Sequence, residues 1–349
     1  MILSTPARTT GAISSATRRR VVVTGGAGFI GSHLVERLLQ DGHEVTVVDN
    51  YATGRARNLA HLAGQPQLRI VTADVTDAAA IAPAFEGKDW VFHLAALADI
   101  VPSVQRPLDY FRANVDGTAV VLEAARAAGV RRFVYTASSS CYGIPEQCPT
   151  PETAAIGPRY PYALTKWLGE QMVLHWAQVY QLPCVSLRLF NVYGPRARTS
   201  GTYGAVLGVF LAQKLAGRPF TVVGDGSQTR DFTFVTDVAD AIVRAAESSV
   251  SGEVLNVGSG GTYSVRRLTE LLGGPVTSIP KRPGEPDCTF ADIAKIRRLL
   301  GWEPRMTLEE GVAHLLARLE EWRDAPVWTP EAIADATRPW FQHLSVEAR

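Results

Sequence analysis

What the chain lacks narrows its function before any motif is read. No apolar run approaches the ~18 residues needed to span a bilayer, so no membrane segment is expected in these 349 residues. A dominant charge is missing too: 35 lysines and arginines meet 34 acids, for a formal net charge of +1. That balance excludes a nucleic-acid binder working through a general basic field. Cysteine is scarce, with only Cys141, Cys148, Cys184 and Cys288, no C-x-x-C spacing and no paired histidines. No zinc site is expected, and the four read as free thiols of a reducing, cytoplasmic compartment. Residues 1–19 have no apolar stretch following their arginines, which argues against a secretory signal. They read as a disordered extension in preference to a transit peptide.

What is present is an ordinary globular composition, 46% hydrophobic and 20% charged. β-Branched runs at Val21–Thr24, Glu44–Val48, Arg69–Thr72, Trp90–Leu94, Arg132–Thr136 and Pro183–Arg188 read as strands. Helical patterns occupy Ile30–Gln40, Pro107–Ala128 and Tyr162–Gln181. Several strands are continuously apolar, as in a parallel sheet covered on both faces. The alternation predicts an α/β fold with a doubly wound parallel sheet over residues 20–191. A buried strand at Glu253–Val257 returns to it within residues 231–258. Residues 192–230 and 259–324, richer in Gly and Pro, would form a smaller interleaved lobe closing over the site. That lobe includes a helix over Thr307–Trp322, opened by a Thr307/Glu310 capping pattern. Residues 325–349 read as a C-terminal helical strap, with Thr329–Leu344 interrupted by Pro339.

Val21 to Leu34 places Gly25, Gly26, Gly28 and Gly31 between a strand and a helix. Glycine permits the tight turn and lets the backbone approach a pyrophosphate, while the helix N-terminus offers unpaired N–H groups. Asp49 ends the next strand, where its carboxylate would accept from ribose hydroxyls and repel a 2′-phosphate. NAD is therefore expected over NADP. Arg55 and Arg57 weigh against this mildly, but both read as surface residues. Asp74 fits an adenine edge as well as it fits an ordinary loop acid.

Tyr162 and Lys166 stand four residues apart on one helix, so both side chains share a face. An ammonium beside a phenol favours the phenolate and draws a pKa of about 10 towards neutrality. A phenolate next to a nicotinamide is a base able to take an alcohol proton while carbon loses hydride. Ser138, Ser139 and Ser140 follow a strand whose C-terminal end faces the ligand crevice, where a serine could bond the substrate hydroxyl. His93 reads as a strand-end structural residue, and Cys141 has no histidine–acid partner to activate it.

With these residues in order, the chain resembles the extended short-chain dehydrogenase/reductases, specifically the NAD-dependent nucleotide-sugar epimerase/dehydratase group. The resemblance runs over about residues 20–323 and implies a Rossmann domain. TGGAGFIG (Thr24–Gly31), which carries Phe29 and Ile30, is similar to the cofactor loop. VDN (Val48–Asn50) resembles the ribose-binding strand end, bringing in Asn50. HLAA (His93–Ala96) resembles the stretch beside the nicotinamide half, which implies cofactor contacts for Leu94, Ala95 and Ala96. Val75 and Asn114, within ANVDGT, join them by the same resemblance. SSSCYG (Ser138–Gly143) and PYALTK (Pro161–Lys166) match the catalytic motifs, which implies Ser138, Tyr162 and Lys166 as catalytic residues. LRLFNVYGP, TRDFTFVTD and RPGEPD are similar to the nucleotide-sugar segments. They imply substrate contacts for Asn191, Arg230 and Arg282, along with Ser139, Val206 and Thr289. A homodimer built on helices 107–128 and 162–181 is implied as well.

Dehydratases of this group resemble one another in an Asp-Glu pair directly after the catalytic Ser/Thr, and the related decarboxylases commonly carry a glutamate in that stretch. This chain has Ser139 and Ser140 there, and serine cannot perform that proton transfer at neutral pH. The expected reaction is 4-epimerisation of a nucleotide-sugar, with UDP the favoured nucleotide. Dehydratase and glucuronate decarboxylase or epimerase chemistry are the alternatives. Thr289 aligns with a gate where bulky residues exclude N-acetylated sugars, so a 2-acetamido group is expected to fit.

Overall fold

The computed structural model describes residues 18–197 and 206–344; residues 1–17 of the expected extension lie outside them. Strands β1 (Arg20–Thr24), β2 (Glu44–Asp49), β3 (Leu68–Thr72), β4 (Trp90–His93), β5 (Arg132–Ser138) and β6 (Cys184–Leu189) join Glu253–Val257 in one sheet. Their spatial order is 253–257, β6, β5, β4, β1, β2, β3, and every pairing is parallel. The chain walks outward from β1 to β3, then returns to place β4 on the other flank of β1. That reversal opens a crevice beyond the C-terminal ends of β1 and β4, where ligands of open α/β sheets bind.

The strands are apolar throughout because both faces are covered. Val21 and Val23 pack with Leu34 and Leu38 of α1 (Phe29–Gln40) and with Ile242 of the helix Val235–Glu247. Val22 packs on the opposite face, with Phe85 of α2 (Ala78–Phe85). A third apolar cluster, including Phe210, Phe220, Leu268, Leu308 and Trp322, makes the core of the smaller lobe. Short pairs brace it: Phe220–Val223 with Val276–Ile279, and Thr229–Arg230 with Tyr263–Ser264.

One expected helix has an irregular turn and three other expectations are corrected. The helix expected over 107–128 forms without a break, as α4 (Pro107–Phe111), a π-turn over Arg112–Asp116 and α5 (Gly117–Ala127), preceded by the short α3 (Ile100–Gln105). The wide turn rotates Asn114 inward to partners that a regular helix would not present to it. In Thr307–Trp322 the capping box forms, but the α-helix ends at Leu316 and a 3₁₀ turn follows at Leu319–Trp322. Pro339 does not interrupt the strap: one helix runs from Pro330 to Leu344, held by the buried stripe Ile333, Thr337 and Trp340. Finally, Cys148 and Cys288 are joined by a disulfide, while Cys141 and Cys184 are free and buried. The bridge Thr150–Ala291 lays the two segments side by side, a proximity hidden by 140 residues of separation.

Candidate active site

The glycine loop is built with no room for side chains. A Cβ on Gly31 would lie 2.1 Å from the Gly25 carbonyl oxygen. One on Gly25, whose φ is +72°, would lie 2.7 Å from the Ala95 nitrogen. Gly28 precedes α1 and caps it with no side-chain bond, so the helix N–H groups are left to a ligand. Asp49 accepts from the backbone N–H of Ala27 (2.9 Å) and Tyr51 (2.8 Å). Burial raises its pKa while those two amides pull it back. Asn50 donates to Asp74 at 2.7 Å, a pair at the far end of the same groove. The resulting cleft, of about 400 Å³, is lined by every residue assigned above to the cofactor except Asn114, Tyr162 and Lys166.

Asn114 is buried behind the wall. Its Oδ1 accepts from Leu97 N–H (2.8 Å), and its Nδ2 donates to Leu97 O (2.9 Å) and Thr165 Oγ1 (3.0 Å). It therefore fixes the loop after β4 to α6 (Pro161–Val179), the helix that carries Tyr162 and Lys166. Arg55 is also not a free surface group, since it donates to Ala197 O at 2.8 Å and Arg196 O at 3.3 Å. Arg196 in turn donates to Glu36 (2.6 Å) and to His33 Nδ1 (2.7 Å), leaving His33 Nε2–H to donate to Pro195 O at 3.0 Å. Cleft residues Gly194 and Ala197 are tied to α1 by these bonds.

At the other end, Pro161 opens α6 at a position where its missing N–H costs nothing, and Tyr162 projects from that first turn. Ser138 hydrogen-bonds the Tyr162 phenol. It is itself fixed by Ser140 Oγ at 2.8 Å. Asp99, on the cleft wall, donates its N–H to Tyr110 O–H at 3.2 Å, and the Tyr110 and Tyr162 rings meet edge to face at 6.5 Å. Lys166 is buried with its ammonium 4.3 Å from the Tyr135 ring centroid.

The expected pull of the lysine on the phenol is not what governs here. Burial raises the Tyr162 pKa, the Ser138 bond lowers it, and the Asp99 charge raises it further. Lys166 is itself brought down to about 7 by burial, against the nearby Glu170 carboxylate. Glu170, one turn beyond Lys166, is locked by Arg188 at 2.6 Å. Arg188 continues to Tyr142 O–H (2.8 Å) and from there to Asn256 (2.7 Å). The sequence reading missed this buried network, although the i, i+4 spacing of Lys166 and Glu170 was available as a signal.

His93 bonds Thr24 (2.7 Å) and Thr118 (3.0 Å), and complete burial drives its pKa down to about 3, which suits a structural role. Burial pushes the Cys141 thiol up to about 12, which removes it as a nucleophile.

In the lobe, Arg230 donates to Glu285 at 2.9 Å and Arg282 lies 3.8 Å from the same carboxylate. The two arginines thus converge, on an internal acid that the sequence reading did not single out. Thr289 donates to Asn191 Oδ1 at 2.7 Å. Val206 opens the helix Val206–Leu215 and packs on the lobe core, while its neighbours Leu207, Gly208 and Leu211 reach the cleft. Ser139 begins the 3₁₀ turn after β5, partly exposed.

The model of the NAD-dependent epimerase/dehydratase family matches residues 21–258. The chain belongs to that family. A UDP-glucose 4-epimerase of Mycolicibacterium smegmatis is 41% identical over 302 residues, covering 84% of this chain and 96% of the relative. A UDP-glucuronic acid decarboxylase of Xenopus tropicalis is 35% identical over 311 residues, covering 86% of this chain and 72% of the relative. The NAD complex of a Thermus thermophilus UDP-glucose 4-epimerase superposes with a TM-score of 0.77 at 35% identity, covering 88% of this chain and all of that one.

The residues present fit NAD, the cofactor of this epimerase/dehydratase family member. The cradle that a Cβ would fill and the uncapped α1 N-terminus suit a pyrophosphate, and the Asp49 carboxylate suits a ribose diol. Asn50 and Asp74 are left for the adenine end. Among the described residues no helix is long and apolar enough to cross a membrane.

Proposed function

We propose that this chain is an NAD-dependent 4-epimerase acting on a UDP-hexose or UDP-N-acetylhexosamine. The single observation carrying this reading is the Ser138–Tyr162 bond beside Lys166, with serines at 139 and 140 where a dehydratase needs carboxyls. NAD supplies the acceptor and donor of hydride at sugar C4. Tyr162 takes the proton from the 4-hydroxyl and later returns it, Ser138 holds that hydroxyl by a shared hydrogen bond, and Lys166 balances charge on the phenol oxygen. The 4-keto sugar turns over in the pocket between the two steps and is reduced on its opposite face. Arg230 and Arg282 suit the diphosphate, exchanging part of their pairing with Glu285 for it. The small Thr289, drawn aside by Asn191, supports space for a 2-acetamido group.

The same reading includes a homodimer; the Cys148–Cys288 bond removes the free-thiol argument for a cytoplasmic location. Exposed Leu108 and Phe111 on α4 and Leu164 on α6 support a helix-bundle contact between two copies. Sedimentation velocity giving a monomer would remove that part.

The deciding experiment incubates the protein with UDP-glucose, UDP-N-acetylglucosamine, UDP-glucuronate and a GDP-hexose without added cofactor, followed by proton NMR. A reversible mixture of C4 isomers is expected, with retained NAD. A 4-keto-6-deoxy sugar or release of CO2 overturns the assignment. Tyr162→Phe should lose ~10²–10⁴ in turnover while holding its NAD.

A further inference from the structure

The C-terminal helix Pro330–Leu344 meets the site at Trp340. Trp340 is 5% exposed, and its Nε1–H donates to the Pro283 carbonyl at 2.7 Å. The Arg282 guanidinium lies 5.7 Å from the centre of its ring. The same ring is 6.1 Å from Tyr160, which stacks on Tyr162 at 6.4 Å with planes only 10° apart. Tyr160 also hydrogen-bonds Ser140, the partner of Ser138. One indole therefore joins the Arg282–Glu285 turn, bearing an arginine suited to the diphosphate, to the aromatic pair that carries the phenol.

We propose that Trp340 is a positioning residue for the sugar nucleotide: it latches the Arg282–Glu285 turn against Tyr160. Its distance from the diphosphate arginine to the reacting hydroxyl is then set by the strap and not by the loop alone. The turn needs such a restraint because Gly284 sits there at φ +73°, a residue with the widest backbone freedom. The indole N–H anchors the carbonyl next to Arg282, and the ring face stabilises the cation while leaving its N–H edges for oxygens. The inference rests on the proposed function for the identity of the sugar nucleotide and for the contact of Arg282 with its diphosphate.

Two variants and one control test it. Trp340→Ala removes both contacts, and Trp340→Phe keeps a ring but loses the donor. Ile333→Ala weakens the same helix about two turns away. In Trp340→Ala the KM for the sugar nucleotide should rise roughly tenfold or more, with kcat changed less than about threefold, as for lost uniform binding. Trp340→Phe should fall between that variant and the wild type. NAD content should not change in either, and Ile333→Ala should lower the melting temperature without moving KM. UDP binding by isothermal titration calorimetry, which needs no turnover, should weaken in parallel with the KM effect. If the wild type binds UDP but epimerises nothing, the functional reading fails while the calorimetry still judges the latch. Equal UDP affinity in wild type and Trp340→Ala, or an equal KM rise in Ile333→Ala, overturns the latch.

Discussion

Lys166 and Tyr162 illustrate how burial competes with charge at single residues. The lysine loses more by leaving water than Glu170 returns to it, because Glu170 is already committed to Arg188. A lysine near 7 and a phenol above its ordinary value carry two protons at low pH, and the first leaves near neutrality, from the lysine. The charge state so formed also contains the ammonium–phenolate arrangement that serves as the base, so kcat/KM should climb with pH through about 7 and level off above it. Lys166→Met leaves the phenol with burial and the Asp99 charge against it. The rising limb of the pH–rate profile should then move to higher pH, with turnover at pH 7 reduced ~10²-fold or more. A limb that stays in place in that variant would detach Lys166 from the titration.

At the scale of elements, α1 does more than present its N-terminus, since His33 and Glu36 hold the 194–197 segment through Arg196. Burial, reinforced by the Arg196 charge, lowers the His33 pKa to about 4, against opposing effects of the Pro195 bond and Glu36. A histidine lowered on folding contributes stability that is present above its unfolded value of about 6.5 and is lost as pH falls towards 4. The full effect is worth about 3 kcal/mol. Thermal melts from pH 7 to 4.5 should therefore fall more steeply for the wild type than for His33→Asn, and parallel curves would remove the anchor from the acid sensitivity. The central strands were legible because buried parallel strands announce themselves as β-branched runs, and the glycine loop because a backbone packed on Ala95 tolerates nothing larger. The π-turn was not legible. Its cause is the pull of Leu97 and Thr165 on Asn114, partners 17 and 51 residues away, and no local pattern records that. Pro339 misled for a related reason: local propensity argues for a break, whereas the packing of Ile333, Thr337 and Trp340 on the body decides for a helix. Within the site, the loop and the Tyr162/Lys166 pair could be seen by spacing, but Glu285, Tyr160 and Trp340 acquire meaning only through tertiary contact.

Across the whole molecule, the sheet and the smaller lobe are interleaved in sequence, so the site depends on long-range ties. Asp231 is one: it accepts from Ser259 N–H at 2.6 Å and Ala291 N–H at 3.0 Å, binding the chain after the last strand to the segment beside Thr289. The Cys148–Cys288 bond is another, joining the loop after Ser138–Ser140 to the residue next to Thr289. Closing a loop across 140 residues restricts the unfolded chain and stabilises the fold by up to about 5 kcal/mol on the chain-entropy account. Paired Cys148→Ser and Cys288→Ser substitutions should lower the urea midpoint by an amount that reductant reproduces in the wild type. The double variant should not respond to reductant at all, because Cys141 and Cys184 are buried and unpaired. A wild-type midpoint indifferent to reductant would show that the two thiols remain apart in solution. The restraint on the Thr289 segment would then fall to Asp231 and to the backbone bridges at Thr150 and Thr229 alone.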